Sequence, residues 1–150
     1  MKNFFLSIVF FFSTFLVFSQ SKFNFVGIGF SYCDITDKNV KLESLLKTGP
    51  IGNVMKSKGF NHYEINLSTK TFIHTYTGYN TGVEDISKIT NLVKTKEYIK
   101  FDVKTDNFGT ITCVINLDED SDNSFIVKYK SGENVEVAFF NTSPLTIPSN

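Results

Sequence analysis

Arginine and tryptophan are absent from this 150-residue chain. Without arginine there is no planar fork for bidentate contact with phosphate or guanine. The 15 lysines only balance 15 acidic residues. A near-neutral chain of this kind lacks the basic excess that drives general nucleic-acid binding. Several catalytic signatures are missing too: G-x-S-x-G, H-E-x-x-H, a phosphate-binding loop and C-x-x-C. Long apolar runs are scarce, with a single one at the amino end.

That run, Phe4 to Phe18, carries 12 apolar residues in 15 behind a short positive start at Lys2. It is short for a membrane span and has the layout of an export signal. Val17-Phe18-Ser19 places cleavage before Gln20, making residues 1–19 a signal peptide. The remaining 131 residues suffice for one well-cored domain, 20–150. No cysteine follows the apolar run closely, the first being Cys33, so a lipid-anchored form is not expected. The expectation is a soluble secreted or periplasmic protein with no span left after cleavage.

Period-2 alternation dominates the rest. Phe23–Cys33 reads as a first strand, with Val26, Ile28, Phe30 and Tyr32 on one face and Cys33 on the other. Asn39 to Lys47 reads as a short helix with Leu42, Leu45 and Leu46 on one side, stopped by Gly49-Pro50. Residues 51–59 read as a loop or short edge strand. His62–Leu67 and Phe72–Thr77 form a hairpin around the turn Ser68-Thr69-Lys70-Thr71. An even loop pairs Leu67 with Phe72, Ile65 with His74 and Tyr63 with Tyr76, keeping the aromatic residues on one face. Ile86–Lys94 shows both a helical spacing (Ile86, Ile89, Leu92, Val93) and β-branched enrichment, and we favour a strand. Tyr98–Lys104, Gly109–Leu117, Ser124–Lys130 and Val135–Phe140 complete a meander, with a loose tail from about residue 141 carrying Pro144 and Pro148.

These elements predict a mainly β fold: an antiparallel up-and-down meander of about eight strands, with one short helix after the first strand. A barrel is the first choice and a two-sheet sandwich the second. The early helix suits a barrel by plugging one end. In architecture alone the outline resembles small ligand-binding barrels of the lipocalin kind; their Gly-x-Trp start is missing, and Gly27-Ile28-Gly29-Phe30 stands in its place.

Few residues invite chemistry. His74 is expected inside, with Tyr63 and Tyr76, as a polar contact for a ligand; a core histidine bonded to a neighbour is the plainer reading. His62 falls outside, so the two histidines cannot share a zinc. Cys33 and Cys113 suit a disulfide in an oxidising compartment, yet strand parity puts them on opposite faces unless a bulge at Gly27 or Gly29 intervenes. A Cys113–His74 nucleophile pair has no local signature to support it. Asp118, Asp120 and Asp122 have the alternate spacing of a calcium loop, but Asn123 and Tyr129 replace the glycine and glutamate an EF-hand requires. The Glu84-Asp85 pair reads as part of an exposed loop, and Lys100, Lys104, Lys128 and Lys130 as outward-facing strand residues. Asn66-Leu67-Ser68 and Asn141-Thr142-Ser143 match the glycosylation sequon.

The expected function is non-enzymatic binding of a small apolar ligand inside a barrel, with no cofactor. The alternative is a protein-interaction module, an inhibitor or envelope accessory, with a solid core. A cavity of about 300 Å³ or more separates the two.

Overall fold

In a computed structural model the described residues are 21–36, 39–78, 81–106, 108–118, 121, 124–130 and 136–141. Residues 1–20, expected from sequence to include a signal peptide, those beyond Asn141, and Asp120 and Asp122 lie outside them. Among the described residues there are eight strands: β1 (Lys22–Asp34), β2 (Val54–Asn66), β3 (Thr71–Gly78), β4 (Thr81–Lys94), β5 (Tyr98–Thr105), β6 (Gly109–Asn116), β7 (Phe125–Lys130) and β8 (Glu136–Asn141). Each pairs antiparallel with the next, and β8 returns to pair with β1, closing a barrel. The up-and-down meander, the barrel and the helix after the first strand are as the alternation predicts. Residues 86–94 are strand, and the ambiguous 51–59 segment enters β2 at Val54.

The β2–β3 hairpin keeps the predicted parity but slips by two residues. Ile65 stands opposite Phe72, Tyr63 opposite His74 and Asn61 opposite Tyr76. The loop is Leu67–Lys70 rather than 68–71. Asn66 Oδ1 starts it by accepting from the backbone N–H groups of Ser68 and Thr69, both at 3.1 Å. Lys70 ends it in the left-handed region at φ 55°. An Asx turn nucleated by Asn66 thus fixes the register, with the four-residue loop one residue earlier in the chain than alternation indicated.

Two bulges set which residues face inward. In β1, Phe23 and Phe25 belong to the interior core, and Phe30, an odd step further on, also faces inside. The facing changes where the register shifts between Gly27 and Gly29. There Gly59 and Phe60 of β2 both stand against Ile28. Val26, expected inside, is consequently on the outer surface at 40% exposure. In β4 the shift lies between Thr90 and Val93, with Asn91 at φ 49° and its Nδ2 donating to Asp102 Oδ2 at 2.8 Å. Ile89 and Leu92, three apart, therefore both pack on the interior, while Val93 points out.

The interior core fills one half of the barrel. Phe25 stacks on Phe125 at 4.6 Å, Tyr63 meets Phe125 edge-on at 5.0 Å, and Phe72 meets Phe101 at 6.2 Å. Leu67, Leu92 and Leu117, from the ends of β2, β4 and β6, pack against this core at the end carrying the β2–β3, β4–β5 and β6–β7 turns. Burial of this many aromatic and aliphatic side chains is the main favourable term in the fold.

The helical segment does not plug an end. A 3₁₀ turn, Leu42–Ser44, runs into α1 (Leu45–Thr48), and Gly49 at φ 68° stops it. Leu42, Leu45 and Leu46 pack with Cys33, Val114, Ile126 and Ala138 on the outside of the wall. Those wall positions alternate with inward ones, so β6 and β7 are apolar on both faces here. Lys100 Nζ meets Glu43 Oε2 at 3.1 Å and tethers the turn to β5. Burial alone would raise the Glu43 carboxyl, but a hydrogen bond from its own backbone and the bond to Lys100 outweigh it and hold it below its ordinary range.

Candidate functional site

Opposite the leucine-sealed end, the barrel is hollow. A cavity of about 340 Å³ lies among the upper parts of the strands, toward the β3–β4, β5–β6 and β7–β8 connections. Ile111, Val127 and Tyr129 form one wall from β6 and β7, with Phe30 from β1 beside them. Asn61, Tyr63, His74, Tyr76 and Asp85 form the facing wall from β2, β3 and β4. Thr105 and Phe108, at the β5–β6 turn, complete the lining.

Strand register explains why the polar groups cluster. Tyr63 pairs with His74, and His74 pairs with Asp85, so the three lie in one row across β2, β3 and β4. The His74 ring stacks on Tyr63 with centroids 4.4 Å apart and planes 12° from parallel. His74 Nε2 lies 2.9 Å from Asn61 Oδ1. An amide oxygen can only accept, so the proton sits on Nε2 and leaves Nδ1 as an acceptor. Burial pushes the imidazole pKa down to about 4 against the opposing pull of Asp85, so the ring is neutral at pH 7. Asp85 Oδ1 accepts from Ser87 Oγ at 2.9 Å. Burial raises the Tyr63 phenol, with Cys113 and Tyr129 adding to it, so it keeps its proton. Burial also raises Tyr129, with Tyr32 adding to it.

The rim is aromatic. Phe108 is 51% exposed and Tyr76 41%, large rings standing partly in solvent at the cavity edge. Phe108 packs edge-on against Tyr129 at 5.8 Å, and Phe30 lies 6.0 Å from Tyr32. Thr105 orders the turn below Phe108: its hydroxyl donates to the Gly109 carbonyl at 3.2 Å and accepts from Phe108 N–H at 3.0 Å.

The structure brings together His74, Tyr63 and Tyr76 of the residues singled out from sequence. It separates the others. His62 points outward beside Glu64, with 3.8 Å between Nδ1 and Oε1. Cys113 is in the interior core and Cys33 in the outer one, both buried free thiols, so no disulfide joins them. The bulge at Gly27–Gly29 is present but acts against the bridge: it turns Cys33 away from the face of Phe23 and Phe25. Burial holds the Cys113 thiol well above its ordinary value, with Asp102 adding to it, which disfavours the thiolate a nucleophile needs. Asp118 sits at the sealed end, remote from the cavity, and Asp120 and Asp122 fall outside the described residues. No cluster of three metal-ligating side chains occurs among the described residues.

Asp85 is the functional candidate that sequence reading missed, because Glu84-Asp85 read as an exposed loop. It lies within β4, four residues before inward Ile89 and so on the same face. Extending the β4 alternation backward past Ile86, which is 64% exposed, would have found it. Compared with protein-family models, with curated proteins and with solved structures, the chain matches none.

Proposed function

We propose that the chain is an exported, non-enzymatic binding domain that holds a small, largely apolar ligand in the upper half of its barrel. The cavity carries this reading. At about 340 Å³ it falls within the range of small-molecule sites, and its lining is mostly aromatic and aliphatic with a few convergent polar groups. A solid interaction module would have no reason to leave that volume unfilled when the other half of the same barrel is packed with phenylalanine. The export part of the proposal rests on the apolar segment Phe4–Phe18 and its flanks. The absence of a catalytic role rests on chemistry: His74 is neutral and bonded to Asn61, and the cysteine inside the barrel is buried with a raised thiol.

Titration with N-phenyl-1-naphthylamine, a neutral apolar fluorophore, tests the reading. The protein should give a saturable, one-to-one rise in emission. Val127→Trp, which fills the cavity from β7, should remove it while the protein stays folded by circular dichroism. Absence of saturable binding to the native protein, or equal binding by Val127→Trp, would overturn the proposal.

A further inference from the structure

The charge and ring chemistry of the cavity point to one class of ligand. We propose that the barrel selects an organic cation, an amine with an apolar body, whose ammonium group sits between the Asp85 carboxylate and the aromatic rings of the upper barrel. The inference rests on the binding role proposed above and specifies the ligand class for that cavity.

Three observations support it. First, Asp85 supplies a carboxylate to the lining, and no lysine lines the cavity among the described residues. With His74 neutral, the formal charge of the described lining is negative, so a carboxylate or sulfonate ligand would meet repulsion there. Second, Phe30, Tyr63, Tyr76, Phe108 and Tyr129 surround the same space. Aromatic faces attract cations through the ring quadrupole, and most strongly where water is excluded. Third, the carboxylate, imidazole and amide of the lining, Asp85, His74 and Asn61, all lie on the β2–β4 wall, whereas Ile111 and Val127 lie on the opposite wall from β6 and β7. A ligand with a charged head and an apolar body matches that division. His74 Nδ1, an acceptor once Nε2 is bonded to Asn61, adds a second site for an ammonium N–H.

A matched set of probes gives the test: 4-phenylbutylamine, 4-phenylbutanol and 4-phenylbutanoate share a body and differ in the head group. Calorimetric titration at pH 7 should rank them amine, alcohol, acid, with the amine about tenfold tighter than the alcohol. Asp85→Asn should bring the amine close to the alcohol and leave the alcohol's affinity unchanged. Glu84→Gln, an exposed neighbour on the same strand, should alter none of the three. The ranking on the native protein tests the charge preference even if Asp85→Asn folds poorly. If the alcohol or the acid binds as well as the amine, the cation preference is wrong and the binding cavity stands. An equal loss in Glu84→Gln would also overturn it, by tracing the preference to the general surface field. If none of the three binds and the neutral fluorophore does not either, the binding role itself has failed.

Discussion

His74 combines burial with a position in the row Tyr63–His74–Asp85, and this makes its titration a readout of the site. The imidazole titrates near 6.5 in an unfolded chain and at about 4 here. Above pH 6.5 it is neutral in both states. Between the two values the unfolded chain binds a proton that the folded chain refuses, so stability falls as the pH drops and levels off below about 4. The loss attributable to His74 is about 3 kcal/mol at most. Urea denaturation from pH 7.5 to pH 4 should show this slope in the native protein, and His74→Gln should flatten it. An identical slope in both proteins would remove burial of His74 as its cause. The two cysteines give a second residue-scale prediction. Alkylation in denaturant without reductant should label two thiols per chain, because Cys33 and Cys113 occupy opposite faces of the wall. A mass two units lower with no labelling would mean a bridge and a different facing for β1. Of the site residues, His74, Tyr63 and Tyr76 were legible from alternation along β2 and β3. Asp85 was not, since a polar pair next to a glycine-rich stretch looks the same in a loop as on an inward strand face.

Among the elements, the bulges and the helical segment show where sequence periodicity stops being sufficient. Alternation identifies a strand but assumes constant facing, and a single extra residue reverses it. In β4 the bulge at Asn91 brings Ile89 and Leu92 to one face at a spacing of three, which is why that stretch carries a helix-like period while being a strand. In β1 the shift between Gly27 and Gly29 leaves Val26 and Cys33 both on the outer face, where a straight strand would set them on opposite faces. The short helix was legible through Leu42, Leu45 and Leu46, but its place was not: covering an outer wall and plugging an end require the same apolar stripe. The deciding feature is on other strands, where Val114, Ile126 and Ala138 make the outer wall apolar. Leu45 is fully buried there, so Leu45→Ala should cost about 2–5 kcal/mol in denaturant unfolding. Glu43→Gln, which breaks the partly exposed pair with Lys100, should cost less than about 1 kcal/mol. Equal effects would mean that the tether, rather than apolar burial, holds the segment to the wall.

The whole molecule divides into a packed half and a hollow half within one closed sheet. Phe25, Phe72, Phe101 and Phe125 are fully buried in the packed half and hold the barrel together. Phe72→Ala should therefore cost about 3–5 kcal/mol. Val127→Trp, at the cavity, should leave stability nearly unchanged because the added ring enters space already present. That contrast would separate fold stability from the proposed ligand binding by halves of the barrel. The hollow half is proposed to hold a small molecule. Native mass spectrometry of the protein purified from its own host tests this most directly. The expected result is a population carrying one additional small-molecule mass, released on denaturation and absent from Val127→Trp prepared in the same way. A bare chain mass in both preparations, under conditions that retain noncovalent ligands in other barrels of this size, would contradict it.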